Sequence, residues 1–347
     1  MLVFTLALVV VAPARAAVGE QLVVSAAWPA AFTFDPSGRI FYGVRFTGEI
    51  RIFDPATQSD TLFYTLPDVA TNGEQGLVGL ALHPDYPDKP FVFAFYTRNT
   101  NGVENAVVRL TDTEGVGGRL KTLITLPAAL HHDGGVIHFG PDRRLYAVVG
   151  DNTKPASAQD LGTNRGKVLR MTATGGVPSD NPFPDSVVWS YGLRNSFGFT
   201  FDPQTGNLWE TENGPECNDE LNRIIGGGNF AWGPSETCAG QPPNNTNQDG
   251  PLPRLLPTAF YTPTIAPTGA AFCKGCGLGT SLNGRLIFGD WKNGDLHAVT
   301  LTGDRLGVAS QTVFHHHSTG ILAVERAPDR TLYFSDQNGI FQLVRTP

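Results

Sequence analysis

Methionine is nearly missing from this 347-residue chain, with 2 copies, cysteine appears 4 times, and charged residues make up 16%. So few charges beside 41% hydrophobic residues exclude an intrinsically disordered chain, and they also exclude long surface helices and coiled coils, which are built from Ala, Glu, Lys and Leu. A basic excess is absent too: 25 Lys and Arg against 32 Asp and Glu leave a net charge of −7, so nothing attracts the chain to nucleic-acid phosphates or anionic lipid. No apolar run approaches the roughly 20 residues a membrane-spanning helix needs. What is abundant is Gly (40), Pro (26) and Phe (22), a composition of tight turns and a β-rich interior.

The longest apolar run, Leu2 to Val11, is followed by Pro13 and by Ala14-Arg15-Ala16, the small-x-small form of a signal-peptidase site. Residues 1–16 are therefore expected to be a signal peptide, and the mature chain from residue 17 to 347 to be exported, periplasmic or secreted. An even number of cysteines in an exported chain favours disulfides. The pairing that closes the shortest loops joins Cys217 to Cys238 and Cys273 to Cys276. A four-cysteine zinc site would need two close pairs, and only Cys273-Lys274-Gly275-Cys276 supplies one.

One phrase recurs: an apolar strand runs into Asp-Pro or Pro-Asp, turns, and continues as an alternating aromatic strand. Its anchors are Asp35, Asp85, Asp142, Asp202 and Asp329, with a weaker sixth at Asn283, and successive anchors lie 46 to 81 residues apart. A period near 50 residues with strands between turn signals reads as propeller blades. The expected fold is all-β, a single six-bladed β-propeller of four-stranded antiparallel sheets, with a pair of β-sandwiches as the alternative. The stretches that exceed the period, about 150–190 and 212–265, are expected to form long loops on the face where the central channel opens.

Four loops carry polar residues that a turn does not require. His131-His132-Asp133-Gly134-Gly135 offers an imidazole, the side chain suited to taking a proton near neutral pH. In Tyr191–Gly198, Arg194 and Asn195 are bracketed by apolar and glycine residues, so the guanidinium requires a carboxylate, a carbonyl or a bound anion. Glu212–Glu220 is dense in hard oxygen donors suited to Ca²⁺, without the EF-hand spacing. In Asp290-Trp291-Lys292 the lysine either clamps a carboxylate or points to solvent. His315-His316-His317 has the form of an adventitious metal tract with no carboxylate beside it in sequence.

In this order, these segments resemble the soluble quinoprotein sugar dehydrogenases, the glucose/sorbosone dehydrogenase family, from about residue 20 to 345. The resemblance rests on Glu74 through Asp85, His132 through Asp142, Gly166 through Arg170, Gly192 through Gly198, Glu212 through Trp232 and Pro263 through Gly269. It implies a six-bladed propeller binding pyrroloquinoline quinone (PQQ) and Ca²⁺, and oxidation of an aldose or related sugar with an external electron acceptor. His132 would be the general base and Arg194 would polarise the quinone carbonyl. Glu74, Asn195 and Lys292 would contact the cofactor. The carbonyls of Gly214 and Pro215 would hold Ca²⁺, and Glu220 would belong to a second Ca²⁺ site.

Two departures stand out. Gly320 and Leu322 occupy positions where many members of that family present two arginines to the cofactor, and Arg254, Arg326 or His315–His317 are the candidates to replace them. His131 precedes the base where characterised relatives have an acidic residue. The alternative readings are a cofactor-free propeller that binds a glycan or a protein, and a lactonase-like activity using the same channel.

Overall fold

The structure is a computed structural model that describes residues 18–233, 251 and 253–346. The expected signal peptide with its cleavage site, and Cys238 with the expected Cys217–Cys238 pairing, lie outside the described residues. The other expected disulfide, Cys273–Cys276, is formed. No helix among the described residues is long and apolar enough to cross a membrane.

The described residues form six four-stranded antiparallel sheets, the blades of a propeller. Their innermost strands are β2 (Ala31–Phe34), β6 (Leu77–Leu82), β10 (Ile137–Phe139), β14 (Ser196–Phe201), β18 (Pro267–Phe272) and β22 (Ala323–Arg326). Five blades are consecutive in sequence. In the sixth the order is β1-β24-β23-β22, so the first strand, β1 (Val18–Ser25), pairs with the last, β24 (Gly339–Arg345), and ties the two ends of the chain together.

Packing between blades explains the long apolar strands. In β7 (Phe91–Asn99), Phe93 and Phe95 pack with Ile137, Leu145 and Ala147 of the third blade, whereas Val92, Ala94 and Tyr96 pack with Phe41, Ile50 and Ile52 of the first. Side chains alternate across a sheet with period two, so a blade covered on both faces is apolar at every position. Each large side chain buried this way contributes about 1.5–3 kcal/mol.

The recurring Asp anchors sit where the first strand of a blade turns into the second. Four of the carboxylates accept backbone N–H groups two residues on: Asp35 from Ser37 at 2.9 Å, Asp142 from Arg144 at 3.1 Å, Asp202 from Gln204 at 2.9 Å and Asp329 from Thr331 at 2.9 Å, whereas Asp85, followed two residues on by Pro87, pairs with Lys89 and Arg143 instead. This is Asx-turn chemistry. Asn283 differs, because an insertion separates it from β18 and its Oδ1 accepts the N–H of Gly275 inside the disulfide loop, at 2.8 Å.

The two long stretches do not gather on one face as expected. The strand β12 (Lys167–Met171) divides the first and β16 (Asp219–Ile224) divides the second, so each contributes loops to both ends of the blade. Residues 226–233 then run beside β13 (Val188–Tyr191), with Gly227 N donating to Trp189 O at 2.7 Å and Trp232 N to Gly192 O at 2.9 Å, and so return to the end where the candidate site lies.

Candidate functional site

At one end of the propeller a cavity of about 380 Å³ opens on the central axis. Its wall includes Glu74, His132, Arg194, Asn195, Gly214, Pro215 and Lys292, so seven of the eight site residues expected from sequence come together although they span 218 positions, from 74 to 292. They lie on loops that enter successive blades, and on the turns between β15 (Leu208–Glu212) and β16 and between β19 (Leu286–Asp290) and β20 (Asp295–Leu301).

His132 is the most constrained of them. It is 8% exposed and has φ +60°, a left-handed conformation that costs a non-glycine residue energy unless its surroundings hold it. The holders are visible. Its N–H donates to Glu74 Oε2 at 2.8 Å, and its carbonyl accepts Asn152 N and Nδ2, both at 3.1 Å. A Cβ on Gly150 would come within 2.2 Å of that carbonyl, so glycine is required there for the approach.

The ring is held as firmly. Nδ1 lies 2.7 Å from Asp151 Oδ1, and the Asp151 carboxylate also accepts Thr153 N at 2.8 Å and, on Oδ2, Trp232 Nε1 at 2.7 Å. A carboxylate that already accepts two N–H donors receives a third from the imidazole, which places the ring proton on Nδ1 and leaves Nε2 as an acceptor. Nε2 makes no hydrogen bond among the described residues. The acidic neighbour missing before His132 is thus supplied from the loop after β11 (Leu145–Val149). Sequence reasoning missed both Asp151 and Trp232, and the only local signal was a buried Gly-Asp-Asn following an apolar strand.

Arg194 finds carbonyl partners: Nη1 donates to Asn213 O at 2.8 Å and Gly214 O at 2.9 Å, and the guanidinium carbon lies 5.5 Å from the centre of the Trp232 ring. Asn195 Nδ2 donates to Glu74 Oε2 at 3.3 Å, while its Oδ1 is buried with no partner among the described residues. Lys292 Nζ donates to Thr264 Oγ1. Asp219 shapes the oxygen-rich turn, accepting Gly214 N at 2.8 Å and the N–H groups of Ile265 and Ala266, each at 2.6 Å.

Glu220 is the expected residue that does not line the cavity. It is buried on β16 against Glu210 and Glu212 of the neighbouring β15, and all three carboxyl groups lie within 3.3 Å of the Asn222 amide nitrogen. Burial, then the nearby Glu220 and Glu210 charges, push the Glu212 carboxyl well above its ordinary range, and burial pushes Glu210 up to about 7.

Leu322 forms part of the wall, and Gly320 is covered by Trp291: a Cβ there would come within 2.3 Å of the Trp291 carbonyl and 2.5 Å of its ring. None of the candidate replacements is present. Arg254 does not line the cavity, and Arg326 donates to Lys274 O at 3.2 Å. The histidine tract does have carboxylates, contrary to the sequence reading, because β1 is carried to the last blade. His315 and His317 meet Glu20 at 2.6 and 2.8 Å, and His316 meets Asp295 at 2.9 Å.

Below the cavity, on the innermost strands, Glu325 Oε1 lies 3.4 Å from His138 Nε2. Burial pushes Glu325 up to about 8 and His138 down to about 4, so the contact joins a neutral acid to a neutral imidazole. A carboxyl whose folded pKa is raised binds more protons folded than unfolded, so its contribution to stability falls as pH rises from about 4.5 to about 8. Glu325→Gln should raise the Tm more at pH 8 than at pH 5. Equal Tm shifts at both pH values would contradict this assignment.

Residues 26–345 match the model of the glucose/sorbosone dehydrogenase family. The chain is 30% identical over 238 residues to quinoprotein glucose dehydrogenase B of Acinetobacter calcoaceticus, covering 59% of this chain and 50% of that protein. It is 30% identical over 217 residues to an aldose sugar dehydrogenase of Escherichia coli K12, covering 59% and 58%. The chain thus spans little more than half the length of the curated relatives it matches. Among solved structures, the PQQ-bound form of aldose sugar dehydrogenase from Streptomyces coelicolor is 27% identical with a TM-score of 0.80, covering 94% of this chain and 98% of that one. Together with six blades that bring seven of the expected residues to one cavity, a family match over nearly the whole described chain leads to one conclusion: the chain belongs to the glucose/sorbosone dehydrogenase family.

Proposed function

We propose that the protein is an exported quinoprotein sugar dehydrogenase that oxidises an aldose or related sugar with PQQ and Ca²⁺ and passes the electrons to an external acceptor. One observation carries the reading: an imidazole fixed as a proton acceptor by Asp151 and Trp232, in a cavity whose wall also holds Arg45, Arg194 and Lys292. The residues suit an anionic, oxygen-rich cofactor. The volume lies in the range of small-molecule sites, the three cations suit carboxylates, and the orphaned Oδ1 of Asn195 is an acceptor that an N–H or hydroxyl of a bound ligand would satisfy. PQQ, when bound, supplies a carbonyl that accepts hydride.

The chain's residues then have separate tasks. His132 Nε2 takes the proton of the sugar hydroxyl, and Asp151 keeps the ring oriented and balances the charge it gains. Arg194 directs N–H donors into the site, Asn195 offers its amide oxygen as an acceptor, Glu74 ties the His132 backbone to Asn195, and Lys292 meets a carboxylate. The Gly214 and Pro215 carbonyls are hard ligands for Ca²⁺. Because Arg194 Nη1 already donates to Gly214 O, the ion shares that carbonyl with the guanidinium or displaces it. Glu220 and its buried acidic neighbours would serve a second Ca²⁺. Export agrees with the Cys273–Cys276 disulfide.

The test is aldose-dependent reduction of an artificial acceptor by protein reconstituted with PQQ and Ca²⁺. Wild type should turn over, and Asp151→Asn should lose about 10²-fold or more because the amide no longer enforces the tautomer. Turnover that survives Asp151→Asn unchanged would remove the assigned base. The second reading, a cofactor-free propeller binding a glycan or a protein, is favoured by Leu322 in the cavity wall, and absence of turnover in wild type would support it.

A further inference from the structure

Arg45 is a cation of the cavity that the roles above leave unused. It stands in the turn between β3 (Ile40–Val44) and β4 (Glu49–Asp54), lines the cavity, and is 7% exposed. Nε donates to Gln75 O at 2.9 Å and Nη2 to Gly73 O at 2.7 Å, and the guanidinium carbon lies 5.5 Å and 4.9 Å from the centres of the Trp28 and Phe46 rings. Among the described residues no hydrogen bond is made by Nη1, and no carboxylate comes within ion-pair distance of the side chain.

That is unusual for so buried a guanidinium. Elsewhere in the same protein Arg170 meets Asp142 and Asp180, each at 2.8 Å, and Arg305 meets Asp202 at 2.5 Å. Two carbonyl oxygens satisfy hydrogen bonds without neutralising charge, and burial presses the Arg45 pKa down while the more distant Glu74 and Asp133 act against it. An anion in the cavity would complete the set. The arm is also already positioned: its fork is held by two backbone atoms and its face by aromatic rings, so little rotamer freedom is lost when Nη1 receives a ligand. Trp28 in turn lies 5.7 Å from Trp291, and these rings wall the space beside the guanidinium.

We infer that Arg45 is a ligand-binding residue whose Nη1 donates to a carboxylate of the anion bound in the cavity, which under the function proposed above is PQQ. The inference rests on that reading. With Lys292 it would give the cavity two cations for two carboxylates from different blades, the first and the fifth.

The experiment is calorimetric titration of Ca²⁺-loaded wild type, Arg45→Met and Arg45→Lys with PQQ and with its uncharged trimethyl ester. A charge-assisted hydrogen bond supports a weakening of PQQ binding by about 10–100-fold in Arg45→Met. The ester should bind both proteins within about three-fold, and Arg45→Lys should fall between wild type and Arg45→Met for PQQ. Should thermal unfolding show that Arg45→Met does not fold, Arg45→Lys decides the matter: weaker PQQ binding with unchanged ester binding supports the inference. Equal loss of both ligands would mean that Arg45 only shapes the loop, and unchanged PQQ affinity would also overturn the inference, in both cases leaving the quinone reading intact. No PQQ binding to wild type would overturn both.

Discussion

His132→Ala is expected to lower kcat for aldose oxidation by about 10²–10⁴-fold, the usual contribution of a positioned general base, while leaving PQQ affinity within a few-fold. The split follows from the geometry. The His132 backbone, which Glu74 and Asn152 grip, survives truncation of the ring, so the loop that shapes the cavity stays in place while its proton acceptor is lost. Steady-state rates at saturating PQQ, paired with a binding titration, check it. A rate within a few-fold of wild type would remove the base from His132, and a collapse of PQQ binding would recast the residue as a cofactor contact.

Arg194→Met should lower kcat without weakening Ca²⁺ binding. Its guanidinium donates to the Asn213 and Gly214 carbonyls and leans on Trp232, whose indole N–H holds Asp151. Removing it takes away the charge assigned to the reacting oxygen, worth about 10²–10³-fold in rate where such a donor has been deleted from an oxyanion site. It also frees the Gly214 carbonyl. Ca²⁺ affinity should therefore hold or increase while kcat falls, a combination that general unfolding would not produce. Measuring kcat together with the Ca²⁺ concentration needed for activity separates the two, and an unchanged kcat would contradict the role given to Arg194.

What the sequence showed clearly was local chemistry. The aspartates at 35, 142, 202 and 329 were readable because each caps its own turn within two residues, and the alternation in β7 was readable because both faces of a blade are buried. The cavity residues were readable as loops with more polar groups than a turn needs. What stayed hidden depends on distance along the chain. Asp151 and Trp232 are 81 positions apart and meet only because residues 226–233 run back beside β13. Glu20 reaches His315 only because β1 completes the last blade. Arg45 is one arginine among many in sequence, and only burial without a carboxylate partner marks it out. The expectation that the long stretches crowd one face failed for a related reason: within each, a short strand returns the chain to the opposite end.

The most direct test of the central claim is a calorimetric titration of the purified protein with PQQ, once with Ca²⁺ and once with a chelator. About one PQQ per chain should bind at micromolar affinity or tighter with Ca²⁺, weakened by Lys292→Ala and by removal of the metal. Folded, Ca²⁺-loaded protein that binds no PQQ would contradict it and leave the propeller as a binding module for a glycan or a protein.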